Sequence, residues 1–290
     1  MKVAVNWRAI ALFLAIAFGF AWLLWGYWVV AMPPGGLVIG PAFIACAIIG
    51  GFAPSIAAIA VTLAGGGRAA AGELLSTLRR PLMARHAVFA LAAVPLATAV
   101  SCLLQLLAGL QLHWPAPSLL VMALVWPVMA ALGEELGWRS FLTARLLPAL
   151  GFLRTGLLVG VLWGLWHLPA DYIALKGFGD WFWLAFLING PIVLTAHALI
   201  MTRLWQQTAG STVSALLYHW SITISAMVAP APVGASWQAL LAAGIGAAAM
   251  WGVFAVLLIF TRAGYRDDLR AAVGSENGPL RTSASAGTGP

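Results

Sequence analysis

Apolar residues along this chain fall in runs of about twenty, without the alternation that strands require. A helix needs roughly 20 apolar residues to cross about 30 Å of hydrocarbon. Eight segments reach that length: about 9–31, 37–64, 87–111, 118–147, 154–170, 181–202, 207–229 and 238–261. The predicted fold class is therefore all-α, a polytopic membrane helical bundle of about eight transmembrane helices. One transmembrane domain takes in residues 1–271, and residues 272–290, rich in Gly, Ser, Thr and Ala, read as a disordered cytoplasmic tail. Lys2 and Arg8 precede the first run as they would in a signal peptide, but that run is too long for one and seven more follow it. Residues 68–86 carry Leu74, Leu75 and Leu78 beside Arg79 and Arg80, the pattern of a short amphipathic helix on the membrane surface.

Composition excludes the soluble alternatives. Apolar residues make up 62% and charged residues 8%, with a mean hydropathy of +0.97. An average soluble domain has about 25% charged residues. Too few charges remain to cover a water-facing surface, which rules out a soluble enzyme, a disordered chain and a nucleic-acid partner for the +7 net charge. The basic excess reports topology instead. Thirteen Lys and Arg residues fall on the N-terminal side of an eight-span arrangement, whereas Lys176 alone falls opposite, near Asp171 and Asp180. This predicts a multi-pass protein of the cell (inner or plasma) membrane with both termini cytoplasmic. Cys46 and Cys102 both lie in apolar runs and suggest no disulfide. Of the fifteen tryptophans, Trp7, Trp114, Trp181, Trp205 and Trp237 are placed as interfacial belts.

Ionisable residues inside spans are expensive, and each is a functional candidate. The fourth span holds Glu134, Glu135 and Arg139. Glu135 and Arg139 are four apart, so they share a helical face and can pair. Glu134 is turned about 100° away from Glu135 and is free for other work. Two adjacent carboxylates in different surroundings suit acid–base chemistry. The fifth span holds Trp163 and His167, and the seventh holds His219 with Thr223 four residues on. Glu134, His167 and His219 each fall 12 or 13 residues from the N-terminal-side end of their spans, roughly 18–20 Å deep. A common layer is what a site built from three helices requires. His197 and Asn189 in the sixth span read as ordinary interhelical hydrogen-bonding groups, and His86 and His113 as span-edge residues.

These motifs resemble the CPBP family, the CAAX prenyl endopeptidase and bacteriocin-processing (Abi) membrane proteases. Glu134, Glu135 and Arg139 match its Glu-Glu-x-x-x-Arg motif, and Trp163 with His167 matches its aromatic-x-x-x-His motif, with Trp where Phe is usual. His219 matches the His-x-x-x-Asn motif, but Thr223 stands in place of Asn. The resemblance covers about residues 118–230, the motif core.

The resemblance implies an intramembrane endopeptidase acting on a membrane-associated or lipidated peptide or protein. Glu134 would be the general base, assisted by His167. His219 with Thr223 would hold the oxyanion, and Glu135 with Arg139 would brace the helix. Members carry a metalloprotease label, so Glu134, His167 and His219 would be the ligands if a metal such as zinc is used. No His-Glu-x-x-His spacing demands one. A proton-coupled transporter and a catalytically inactive membrane scaffold of the same fold remain as alternatives, with Thr223 the main support for the second. The Ala-, Gly- and Arg-rich chain has a bacterial composition.

Overall fold

The computed structural model describes residues 5–31 and 40–276, with side chains given outside 118–121 and 260–276. The chain divides into two compact units, Met1–Phe254 and Ala255–Pro290. The first holds a helical bundle. Its helices are α1 (Trp7–Ala31), α2 (Pro41–Gly51), α3 (Ala53–Ser76), α4 (Ala84–Leu107), α5 (Pro117–Glu135), α6 (Ala144–Trp166), α7 (Leu168–Leu175), α8 (Phe182–Leu187), α9 (Val193–Gln207) and α10 (Thr212–Val228). It also holds the start of α11 (Ser236–Glu276), of which the second unit carries the remainder. α11 takes in the first residues of the expected tail, and 277–290 lie outside the described residues, as do the first residues of the expected second span.

The protein is a polytopic helical bundle, and the structure redraws several expected spans. Among the described residues, six stretches are long and apolar enough to cross a membrane; α2 and α10 are shorter apolar helices. The expected span 37–64 is two helices joined at Phe52, with Pro54 in the first turn of α3 where its missing N–H costs nothing. The expected fourth and fifth spans follow one another within Met122–Trp166 and separate at Gly151. Gly151 has φ 71°, a conformation that glycine adopts without strain. Pro127 stays within α5, and Pro191 sits in a π-helical turn, Ile188–Ile192. The amphipathic segment is present: beyond Gly67 (φ 64°) the chain stays helical, with Ala71, Leu74 and Thr77 buried and Glu73, Leu75 and Ser76 exposed. Trp7, Trp114, Trp181 and Trp237 are exposed as a belt requires, but Trp205 is buried beneath Gly210 and belongs to the core.

A second π-helical segment, Leu136–Thr143, continues α5 beyond Glu135. All eight of its residues are buried, so it faces protein on every side. Phe13 stacks on Phe141 and meets Trp138 edge-on, and Trp25 meets Trp166, holding α1 against this segment and α6. Small residues let the helices approach closely. A methyl group added at Gly137 would lie 2.5 Å from Pro54 backbone atoms, and one at Gly164 would lie 2.5 Å from Pro191 Cα. Buried hydroxyls tie the far end together: Thr212 donates to Thr77 at 2.6 Å, and Ser140 shares a 2.6 Å hydrogen bond with Thr212.

The direction of each helix follows from its ends. β1 (Leu112–His113), before α5, pairs antiparallel with β2 (Ala231–Pro232), after α10. The start of α5 and the end of α10 therefore share one face of the bundle, called here the β face. Arg80, on the opposite face, donates to the carbonyl of Ala209 in the α9–α10 turn.

Candidate active site

The four residues singled out by the motifs converge. Glu134, His167, His219 and Thr223 all line one cavity of about 350 Å³. The rest of its wall is largely apolar and aromatic, including Trp25, Phe52, Trp126 and Met129. Wall residues such as Trp126 in α5 and Ala170 and Ala174 in α7 lie toward the β face, so the cavity runs from the Glu134–His219 layer in that direction.

Each polar side chain is fixed by a partner. Trp163 donates its indole N–H to Glu134 Oε2 at 2.6 Å. That bond gives tryptophan a function phenylalanine could not supply at this position. His167 lies 2.9 Å through Nδ1 from the carbonyl of Trp163. A carbonyl only accepts, so Nδ1 carries the proton and Nε2 of the neutral ring is an acceptor. His219 donates from Nδ1 to Glu135 Oε1 at 2.7 Å, and its Nε2 stands 4.0 Å from Glu134 Oε1.

Behind this layer Glu135 Oε2 lies 3.1 Å from Arg139 Nε, with both side chains fully buried. The contact is ionic, without hydrogen-bond alignment, since neither atom has a hydrogen-bonding partner. Arg139 donates through Nη2 to Met201 Sδ at 3.1 Å, and its guanidinium lies 4.8 Å from the Trp163 ring centre. The pairing expected of Glu135 and Arg139 is thus present, and Glu135 also carries His219. Thr223 lines the cavity, but its hydroxyl donates to the carbonyl of His219 at 3.3 Å.

Glu134, His167 and His219 do not close into a metal-ligand set as placed. Among the described residues no three His, Cys, Asp or Glu side chains are grouped to hold a metal ion. Glu134 and His219 supply an edge of two potential donor atoms, 4.0 Å apart, and Glu134 already accepts from Trp163.

Of the residues outside the motifs, His197 shares a 3.2 Å hydrogen bond with Tyr218 across α9 and α10, as an interhelical histidine should. Asn189 instead donates within its own helical stretch, to the carbonyl of Ala185. His86 is buried at the start of α4, and His113 is in β1. The motif reading missed Asp171, which also lines the cavity. The signal was available, because Asp171 stands four residues after His167.

Comparison with known proteins matches residues 115–225 to the family described as Type II CAAX prenyl endopeptidase Rce1-like. A curated relative, CAAX prenyl protease 2 of Methanococcus maripaludis, is 24% identical over 104 residues, covering 34% of this chain and 37% of that protein.

Proposed function

We propose, from the match of residues 115–225 to the Rce1-like CAAX prenyl endopeptidases, that this chain hydrolyses a peptide bond of a membrane-associated or lipidated peptide inside the bilayer. The observation that carries this reading is the pair Glu134 Oε1 and His219 Nε2, 4.0 Å apart across a cavity. Each is oriented from behind, Glu134 by Trp163 and His219 by Glu135.

Hydrolysis requires activated water, a donor for the oxyanion and a proton for the departing amine. In this reading Glu134 takes a proton from a water that also donates to the lone pair on His167 Nε2. The resulting hydroxide adds to the scissile carbonyl. His219 acts as an imidazolium, with Nδ1–H held by Glu135 and Nε2–H aimed at the developing oxyanion. Glu134 then passes its proton to the leaving nitrogen, the C–N bond breaks, and both charge and protons balance. Two carboxylates, Arg139 and an imidazolium sum to zero charge, so none of the four is left as an uncompensated buried charge. Thr223 supplies a second donor once its hydroxyl rotates from the His219 carbonyl. No step runs through zinc.

Access follows from the cavity's direction. We assign entry to the β face and the arginine-rich face to the cytoplasm, so substrate enters from the extracytoplasmic side.

The test is Glu134→Gln, which keeps the volume and the acceptor for Trp163 but removes the base. Purified in detergent, the variant should retain the wild-type melting temperature and lose cleavage in a peptide screen. Wild-type turnover in Glu134→Gln would end the assignment.

A further inference from the structure

We propose that Asp171 makes the mouth of this cavity an anionic subsite for a cationic group of the substrate, a lysine or arginine side chain close to the scissile bond. The proposal rests on the endopeptidase reading and adds a substrate class to it.

Asp171 and His167 occupy successive turns, with the Asp171 N–H donated to the His167 carbonyl at 2.8 Å. Side chains four apart on a helix have Cβ atoms about 5–6 Å apart. Both line the cavity, Asp171 on the β-face side of His167. A methyl group added at Gly190 would sit 3.4 Å from Asp171 Oδ2, which places the carboxylate beside the π-helical turn Ile188–Ile192. Among the described residues the Asp171 carboxylate forms no ion pair, and the His167 ring one turn back is its electrostatic neighbour. Lys176, the nearest base along the chain, lines a separate groove with Asp180 and Trp183.

Charge accounting favours a cation. The cavity wall carries Glu134 and Asp171 and no Lys or Arg. Arg139 is sealed behind the wall against Glu135. With Glu134, Glu135, Arg139 and the His219 imidazolium mutually neutral, Asp171 is left facing only the His167 ring, which carries no charge in this reading. An uncompensated charge at membrane depth is costly, and an incoming cation relieves that cost. Trp25 and Trp126 belong to the same wall. An extended peptide advances about 3.3 Å per residue, so a side chain reaching one helical turn beyond His167 comes from within about two residues of the cleaved bond.

The test measures binding, which separates it from catalysis. Fluorescent hexapeptides identical except for one Lys, norleucine or Glu would be titrated by anisotropy. The receptor is the wild-type protein in phosphatidylcholine nanodiscs, which remove anionic lipid as a competing partner, and the peptides are N-methylated along the backbone so that they bind uncleaved. A charge-assisted contact predicts roughly tenfold tighter binding of the lysine peptide than of the norleucine peptide. Adding Asp171→Asn should erase that preference, and Asp171→Lys should turn it toward glutamate. No lysine preference, or one that survives Asp171→Asn, overturns the proposal. So does a uniform loss of cleavage across all three unmethylated peptides in an otherwise wild-type Asp171→Asn protein with binding unchanged, because Asp171 would then only position His167. Asp171→Ser replaces Asp171→Asn if the latter fails to fold. Lysine-selective binding without cleavage of the unmethylated peptides by the wild-type protein would instead overturn the endopeptidase reading and leave the subsite standing.

Discussion

His219 donates from Nδ1 to Glu135 Oε1 at 2.7 Å, while the other oxygen of Glu135 lies 3.1 Å from Arg139 Nε. One carboxylate therefore fixes the ring that faces the cavity and neutralises the one fully buried arginine among the described residues. It is a structural brace and an orienting group at once. Both contacts lie behind the cavity, whose wall Glu135 and Arg139 do not line.

Glu135→Ala should accordingly cost stability as well as turnover. Removing one partner of a buried ion pair costs about 3–5 kcal/mol in soluble proteins. Glu135→Gln keeps an acceptor for His219 and removes the charge, so it should recover part of the stability and less of the activity. Thermal unfolding in detergent, read beside kcat, checks both. An unchanged melting temperature in Glu135→Ala would show that Arg139 is held by Met201 and Trp163 alone.

The sequence made the core of the site legible because buried charge has few explanations in a membrane. Glu134, His167 and His219 stand out as ionisable groups in apolar spans, Thr223 by its spacing from His219, and all four reach one cavity. What stayed hidden depends on contacts between distant segments. The Trp163–Glu134 bond spans 29 residues and the His219–Glu135 bond spans 84, and helical periodicity carries no information at those separations. The π-helical turn at Leu136–Thr143 was equally invisible, since the packing of its eight buried residues creates it. Trp205 misled for the opposite reason: an amphipathic ring near a span end suits a belt, and only packing buries it beneath Gly210.

Gly164 controls how closely α6 approaches the π turn at Pro191. A methyl group there would meet the Pro191 backbone at 2.5 Å, and backbone cannot swing aside as a side chain can. Overpacking of this kind costs about 1–3 kcal/mol. Gly164→Ala should lower the melting temperature and reduce kcat, because His167 lies three residues further along and moves with the helix. Gly19→Ala is the control, since its added methyl meets nothing within 4 Å. Equal melting temperatures for the two variants would refute the close approach.

The proposed side of entry can be tested without a substrate. In a background with Cys46 and Cys102 replaced by alanine, Ala174→Cys places a thiol on the cavity wall at an exposed position in α7. A membrane-impermeant maleimide added to intact cells should label it. Arg79→Cys, exposed after α3, should react only after the cells are opened. The reverse pattern would invert the topology and put the cavity mouth on the cytoplasmic side.

Thr223 offers the sharpest test of the oxyanion assignment. Its hydroxyl bonds to the His219 carbonyl at 3.3 Å, a long contact that a stronger acceptor in the cavity could displace. If the oxyanion is that acceptor, Thr223→Val keeps the shape, removes the donor and slows the chemical step. Losing one oxyanion donor costs roughly 10²–10³ in rate in well-studied hydrolases. Here the loss should be nearer the lower end, because His219 remains. The effect should fall on kcat with KM nearly unchanged, since the bond forms as charge develops. Thr223→Asn places a longer donor on the same turn and should retain or raise kcat. A serine at 223 keeps the hydroxyl without the methyl and should track the wild type, separating donor from packing. Should valine turn over as fast as threonine, the hydroxyl serves only to close the α10 turn, and the oxyanion rests on His219 alone.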